Sequence, residues 1–598
     1  MKLSDYVFEY IASLGVKHVF YLPGGGAMHL DDSLCHTDGI TPVCMIHEQG
    51  CSIAAEAYAR ISEGLSVCCV TTGPGTTNAL TGLAGAWLDA TPVLFISGQV
   101  KRADLVGDQN IRQFGIQELN IVEIVRSITK YAVQIHDPAD ILYEMKKALT
   151  IAREGKPGPV WIDIPLDVQA SDIDPKELRT YDIDPQTFPV SAEDITETIR
   201  LLNKAHRPVL LLGNGIRQAK ALNEMRQLID LLNIPVLTTW NGVDLIEDSH
   251  PCFFGRPGAS GQRHANLIQQ NADFVLSIGS RLNLLTTGFD YDSFIADAVH
   301  VMVEIDPYEM KKKSVHPTLA IHADAASFLK ELLAASDQIR LNDLNEWVAY
   351  CTRTKKRYPY LISEQIPEED KINTYQLIDE ISAQMTENDI YQFTSSGTGA
   401  DIAMQAFRIK KGQRAFLTKG LASMGFDLPA SIGSCLASGG RRTVCVTGDG
   451  GFLMNIQELA TLYSLGLPVK IFLLDNNGYG MIYNSQAGNF HRLSGCTEES
   501  GLHIPDLIEI SKAFGLRTRR ITQASDLQRG IAETLSGSDP VICAVSVSIA
   551  QKILPRQTNY RLPDGRMASR PLEDMTPLLS REEMKQEMEI SAKMIKGE

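Results

Sequence analysis

The chain has no CxxC pair of the zinc type, no apolar run approaching 18 residues, and no excess of positive charge. Its 11 cysteines are scattered, with only Cys68 and Cys69 adjacent, so neither a structural zinc site nor a disulfide scaffold is expected. Buried thiols in a reducing cytoplasm are the expectation instead. The missing apolar run leaves no segment long enough to span a bilayer as a helix. Met1 to Leu14 mixes charged and apolar residues at helical spacing, which predicts an amphipathic first helix and not a signal peptide. A formal net charge of −16 argues against a nucleic-acid-binding surface. At 598 residues, the chain is also too long for one hydrophobic core.

What is present is alternation of strand and helix, which predicts parallel, doubly wound α/β sheets. Three blocks are expected, over 1–170, 190–335 and 374–548, followed by a tail over 550–598. Strands are predicted at Val16–Tyr21, Leu65–Thr71, Val93–Ser97 and Val160–Ile164. Those of the second block are Val209–Leu212, Val236–Thr239, Phe274–Ile278 and Val301–Ile305. Asp172–Pro189 and Arg353–Asn373 are polar, proline-punctuated stretches that read as linkers. The tail ends in charged, helix-like sequence, and no short internal repeat is visible.

The third block carries the most informative stretch, RRTVCVTGDGGFLMNIQELATLYSLGLPVKIFLLDNNGYG. Arg441–Thr447 predicts a buried strand, Gly448-Asp449-Gly450-Gly451 a turn, Leu453–Leu465 a helix and Leu467–Leu474 a second strand. Neighbouring parallel strands would set Asp449 and Asn476 roughly 5 Å apart at the edge where such sheets bind ligands. A carboxylate, an amide oxygen and backbone carbonyls form a hard oxygen set suited to Mg²⁺. The glycines permit close backbone approach, and a helix N-terminus offers free N–H groups to phosphate. Taken alone, Gly-Asp-Gly also makes ordinary turns.

GDG followed after a helix and a strand by DNNGYG resembles the cofactor motif of thiamine diphosphate (ThDP) enzymes. The three blocks resemble the pyrimidine-binding, central and diphosphate-binding domains of the branch containing acetohydroxyacid synthase. That resemblance implies Asp449, Asn476 and the Gly478 carbonyl as Mg²⁺ ligands, with Gly448, Gly450 and Gly451 at the diphosphate. Ser396, Gly397 and Thr398 are further candidate diphosphate contacts. In GLASMGFDLPASIG, Ala422 and Met424 would hold the aminopyrimidine, and the Met424 side chain would wedge the cofactor into a bent form. Met424 read without the family is simply core filler.

Glu48, in HEQGCSIAAEAYAR, matches the family's activating glutamate, which needs burial to hold a proton at the pyrimidine ring. Without the family it reads as an acid complementing a helix dipole. PGGGAMHL, TTGPGTTNALTGLAGAWLD and KPGPVWIDIP match in the expected order. Gly25 and its neighbours, like Gly73 to Gly75, are either tight turns or loops that bring amides to the reacting acyl group. Gln117 aligns with a glutamine near the intermediate of carboligases, and SGQVKR matches the same branch. The His-His pair of simple decarboxylases is absent.

Three positions depart from the family. Ile116 stands for a phenylalanine, Leu166 for a lysine, and Ser485 for the tryptophan that selects 2-ketobutyrate. These changes imply a larger, less charged acceptor than a small keto acid. The resemblance implies a carboligase that decarboxylates a 2-keto acid, expected to be pyruvate, and passes the acyl group to a carbonyl acceptor. Rivals are a decarboxylase or lyase that releases an aldehyde, and a cofactor-dead paralogue. It further implies active sites between subunits of a homodimer or homotetramer. FAD stays open: Gly213-Asn214-Gly215 and Glu304-Ile305-Asp306 suit a dinucleotide, but GSRLNL lacks the family's acidic pair.

Overall fold

In the computed structural model, residues 1–362, 365 and 371–589 are described. Three parallel sheets follow one another along the chain. The first has the order Thr41–Cys44, His18–Tyr21, Ser66–Val70, Val93–Gln99, Val160–Pro165, Tyr131–Gln134. The second runs Leu319–His322, Val299–Glu304, Phe274–Ile278, Pro208–Leu212, Val236–Thr238. The third runs Arg414–Phe416, Ile390–Gln392, Thr443–Gly448, Val469–Asp475, Val541–Ser546, Arg517–Ile521. Central strands such as Val93–Gln99 and Pro208–Leu212 are buried along their whole length, as expected when helices cover both faces of a parallel sheet.

The first and third sheets share one strand order: in each, the second, first, third, fourth, sixth and fifth strands lie side by side. The repeat is topological and leaves no trace in the residues. Their domains also share a hydrophobic core. The alanine-rich helix Glu48–Ser62 crosses Asp427–Ala437 so closely that a Cβ on Gly433 would stand 2.1 Å from the Ala54 carbonyl oxygen. Cys51, Ala54, Ala55 and Tyr58 on one side and Leu428 and Ile432 on the other belong to the same buried cluster. A buried ion network reinforces the contact. Arg60 bonds Glu56 (2.5 Å) and Asp89 (2.8 Å) and reaches the Leu417 carbonyl (2.7 Å).

Some local expectations need correction. The helix expected over Leu453–Leu465 is two, Asp449–Leu453 and Glu458–Leu465. Between them the Asn455 side-chain amide donates to the Gly425 carbonyl at 2.7 Å, and the Met454 and Ile456 N–H groups reach back three residues, to Gly451 and Leu453. The polar stretch from Arg353 is helical up to Arg357, because Trp347, Tyr350, Cys351 and Thr354 form one buried face of Asn345–Arg357. Within the Arg353–Asn373 stretch, Ser363, Glu364 and residues 366–370 lie outside the described residues. The C-terminal segment is bound to the central domain: Leu572 is buried, and Asn266 donates to its carbonyl at 2.9 Å. Its helix is Arg581–Met588, and the charged sequence from residue 590 lies outside the described residues.

Candidate active site

At the carboxyl edge of the third sheet, Gly448 pairs with Leu474 across neighbouring strands. Asp449, next after Gly448, and Asn476, two residues beyond Leu474, meet there. Asp449 is fully buried; its carboxylate accepts the Gly450 N–H at 2.7 Å and the Asn476 N–H at 3.0 Å. Burial pushes this carboxyl up to about 6, against the pull of those amides. No ion pair reaches it among the described residues, so amides alone oppose the cost of burying its charge. A cation placed there would remove that cost.

Asn476 Oδ1 accepts the Gly478 N–H at 3.1 Å. A Cβ on Gly478 would stand 2.3 Å from the Cys496 carbonyl oxygen, so only glycine fits this loop. A Cβ on Gly480 would stand 3.4 Å from Asn476 Nδ2 and 3.5 Å from Thr398 Oγ1, which places Thr398 beside the same loop. Gly397, at φ +80°, precedes the helix Thr398–Ala406 and has open space where a side chain would begin. Gly448 is likewise open, and Gly451 has only Thr447 Oγ1 near, at 3.8 Å. The Tyr479 ring covers Gly450, 2.2 Å from its would-be Cβ. Three loops and the N-termini of helices Thr398–Ala406, Asp449–Leu453 and Gly480–Phe490 converge here. Among the described residues no cluster of three or more His, Cys, Asp or Glu could hold a metal. One buried acid with amide and carbonyl oxygens instead fits a hard cation whose remaining ligands are phosphate oxygens.

The loop before Asp427 adds to this edge. Ala422 lies in the left-handed region at φ +56°, with Gly425 at φ +85° and Met424 half-buried. Asp427 is buried and held up at about 6 by that burial. It accepts the Ser395 N–H at 2.8 Å and the Thr447 hydroxyl at 2.6 Å, tying the 395–398 loop to the 447–451 turn. Sequence reasoning missed it, although an acid opening the apolar helix in FDLPASIG was a visible signal.

Glu48 opens the helix Glu48–Ser62 and is 6% exposed. Its Oε2 accepts Asn78 Nδ2 at 2.9 Å, and its Oε1 stands 3.4 Å from a would-be Cβ on Gly75. Thr71 and Thr72, at the end of strand Ser66–Val70, organise the surrounding loops. The Gly26 N–H donates to Thr71 Oγ1 (3.1 Å), and Thr72 donates to the Gln117 carbonyl (3.1 Å). Gly25 lies between those anchors with its would-be Cβ in open space. Gly73 faces the Gln117 carbonyl oxygen at 2.7 Å from its would-be Cβ, and Gln117 itself sits at φ +66°. Glu48, Gly75 and Gln117 thus share the carboxyl edge of the first sheet.

The acceptor positions are less gathered. Ile116 is 89% exposed beside Gln117, and Leu166 is half-buried at the start of helix Leu166–Gln169. Ser485 is exposed on helix Gly480–Phe490, in another domain. No hydrogen bond among the described residues joins its side chain to either position, nor Glu48 to Asp449, Asn476 or the 420–425 loop.

The central sheet has its own cleft, of about 570 Å³. Strands Pro208–Leu212 and Phe274–Ile278 are neighbours whose onward connections diverge, the usual place for a ligand in an open α/β sheet. There Gly215 packs against Gly279, 2.7 Å from its would-be Cβ to the Gly279 Cα. Glu304, Arg281, Lys156 and Lys419 also line the cleft. Of the residues expected to suit a dinucleotide, Asn214, Gly215, Glu304 and Ile305 line this cleft.

Comparison with known proteins agrees with this layout. Residues 1–124 match the N-terminal TPP binding domain of thiamine pyrophosphate enzymes, 195–332 the central domain, and 396–545 the C-terminal TPP binding domain. A probable acetolactate synthase large subunit of Methanococcus aeolicus is 32% identical over 90% of this chain and 91% of its own. The acetolactate synthase large subunit of Cyanidium caldarium is 31% identical over 90% and 92%. Acetolactate synthase 2, chloroplastic, of Zea mays is 33% identical over 93% and 86%. The chain is a member of the thiamine pyrophosphate enzymes, on the branch of the acetolactate synthase large subunits.

Proposed function

We propose that this ThDP-dependent, acetolactate synthase-like carboligase takes a 2-keto acid, pyruvate, and transfers its acyl group, with loss of carbon dioxide, to a carbonyl acceptor bulkier than 2-ketobutyrate. The observation that carries the reading is the buried Asp449 carboxylate, held by backbone amides and paired with no lysine or arginine among the described residues, among loops whose glycines leave space for a diphosphate. Bound ThDP supplies a thiazolium carbon that takes up the acyl group and accepts its electrons as carbon dioxide leaves.

The chain's residues hold and protect that chemistry. Asp449, Asn476 Oδ1 and the Gly478 carbonyl would hold Mg²⁺ against the diphosphate, with Gly448, Gly450, Gly451, Gly397 and Thr398 around it. The Ala422 carbonyl and Met424 amide would take the aminopyrimidine edge. Glu48, buried and oriented by Asn78, would hold a proton at the ring nitrogen. Gln117 and the amides near Gly25 would face the acyl group. Glu48 is fixed within the first domain and the metal set within the third, and we infer that the two sets meet between subunits of a dimer or tetramer. The central cleft would hold a dinucleotide such as FAD, with Glu304 and Arg281 at its rim; the absorption spectrum of the purified protein tests that.

Among the described residues no helix is long and apolar enough to cross a membrane. All eleven cysteines are unpaired, which supports a reducing compartment. The deciding experiment is pyruvate turnover with ThDP and Mg²⁺ across keto acids, aldehydes and keto-sugars, with product analysis. Acceptor-dependent ketol formation supports transfer, whereas free acetaldehyde whatever the acceptor would make the enzyme a lyase.

A further inference from the structure

Glu458 opens the helix Glu458–Leu465 in the diphosphate-binding domain, yet its carboxylate is buried against the first domain. It accepts the His47 N–H at 3.1 Å and the Ile46 N–H at 3.4 Å, the two amides immediately before Glu48. Thr461 donates to it at 2.7 Å and fixes its rotamer. Two residues beyond Glu48, a Cβ on Gly50 would stand 2.4 Å from Glu458 Oε1, so glycine alone admits the carboxylate. No lysine or arginine pairs with Glu458 among the described residues, so backbone amides and one hydroxyl are what hold its charge.

The ten residues from Asp449 to Glu458 thus touch three parts of the machinery. Asp449 anchors the 476 loop, Asn455 holds the Gly425 carbonyl beside Met424, and Glu458 grips the chain that enters the Glu48 helix. We propose that Glu458 is a positioning residue that sets the reach of Glu48 toward the cofactor from across the domain boundary. The proposal rests on the reading of Glu48 as the cofactor-activating acid. Asn78 orients the Glu48 carboxyl, and Glu458 fixes the backbone on which it stands. A shift of about 1 Å at a reacting group can cost about 100-fold, so losing this grip disturbs activation more than cofactor binding.

The test compares full-length Glu458→Ala, Glu458→Gln and Glu458→Asp with the parent enzyme. Amide hydrogen exchange of the peptide spanning residues 44–54 is read in the apo protein, where no cofactor chemistry enters. ThDP affinity comes from calorimetry, and loss of the C2 proton of bound ThDP from NMR. The expected result for Glu458→Ala is lost amide protection at Ile46 and His47, ThDP affinity within about threefold, and C2 exchange slowed about 10- to 100-fold. Glu458→Gln, which keeps an acceptor oxygen, restores most of both. Glu458→Asp, which keeps the charge but shortens its reach, falls between and serves if the alanine variant does not fold. Unchanged C2 exchange in both the alanine and aspartate variants would overturn the proposal. So would a loss of exchange that merely follows lost ThDP binding. Glu48→Gln is measured in parallel: if its C2 exchange is normal, the reading of Glu48 fails and this proposal with it. Slow exchange in Glu48→Gln beside normal exchange in the Glu458 variants removes Glu458 alone.

Discussion

The Thr447 hydroxyl donates to Asp427 across 2.6 Å and so fastens the strand that ends in the 448–451 turn to the helix after the 420–425 loop. The same carboxylate takes the Ser395 amide, which sets where Gly397 and Thr398 begin. Asp427→Ala leaves two buried donors without partners, each costing about 1–3 kcal/mol. The expected outcome is a lower unfolding temperature together with ThDP affinity weakened at least about tenfold, because the proposed diphosphate loops lose their common anchor. Thermal unfolding and a ThDP titration of the same preparation check it. Destabilisation with unchanged affinity would make Asp427 a purely structural support.

Asp449→Ala removes the one anionic group at the proposed metal site and leaves a diphosphate facing helix N-termini alone. ThDP affinity should collapse and become insensitive to Mg²⁺. The apo enzyme should also lose some stability, since the Gly450 and Asn476 N–H groups lose their acceptor, an effect offset in part by removal of a buried charge. Calorimetry with and without Mg²⁺ decides. Normal ThDP binding by this variant would place the metal elsewhere.

Much of this was legible because buried parallel strands are written as continuous runs of valine, isoleucine and leucine, as in Pro208–Leu212, and because glycines mark close approach. Gly478 is an example: it would collide with the Cys496 carbonyl oxygen if it carried a Cβ. Glu458 was not legible. Its partner His47 lies 411 positions away, and nothing in NIQEL announces a contact in another domain. The contact of the Asn455 side-chain amide was hidden for the same reason, since the carbonyl it reaches belongs to Gly425. The common strand order of the first and third sheets is a property of connections, which residue patterns do not record.

Asp163, fully buried in the first domain, gives a pH test away from the metal loops. Its carboxylate accepts Ser97 (2.5 Å), Gln134 (2.8 Å) and Gln99 (3.2 Å), and burial outweighs these bonds to push it from 3.8 up to about 6. Between those values the folded chain binds a proton that the unfolded chain has released. This group's contribution to stability is therefore fullest below about pH 4 and is lost as pH rises toward about 6. Asp163→Asn keeps the shape and cannot titrate. Its stability relative to the parent should rise across that window by at most about 3 kcal/mol. Urea unfolding at stepped pH measures it. A constant difference between the two proteins would mean that Asp163 titrates alike in the folded and unfolded chains.

The proposed acceptor reading rests on Ile116, Leu166 and Ser485. Leu166 presents no cation to an acceptor carboxylate, and neighbouring Arg102 is already bonded to Asp167 (2.8 Å) and the His136 carbonyl (2.7 Å). Ile116 is 89% exposed and Ser485 is exposed on its helix, so neither side chain is packed away from an incoming acceptor. A single aromatic contact changes discrimination by about 1–3 kcal/mol, or about 10–200-fold. The parent enzyme is therefore expected to show little preference for 2-ketobutyrate over pyruvate as acceptor and to favour a bulkier, uncharged carbonyl over both. Ser485→Trp should shift the product ratio toward the small keto acids, and Leu166→Lys should lower KM for them with kcat little changed. Competition between pyruvate and 2-ketobutyrate, read as the ratio of the two acetohydroxy acids, measures this. Ser485 and Leu166 belong to different domains, so the two substitutions act on one acceptor only if those domains meet around it. Non-additive shifts in the double variant would support one shared pocket, and additive ones two independent positions. A strong preference of the parent for 2-ketobutyrate would assign selection to other residues.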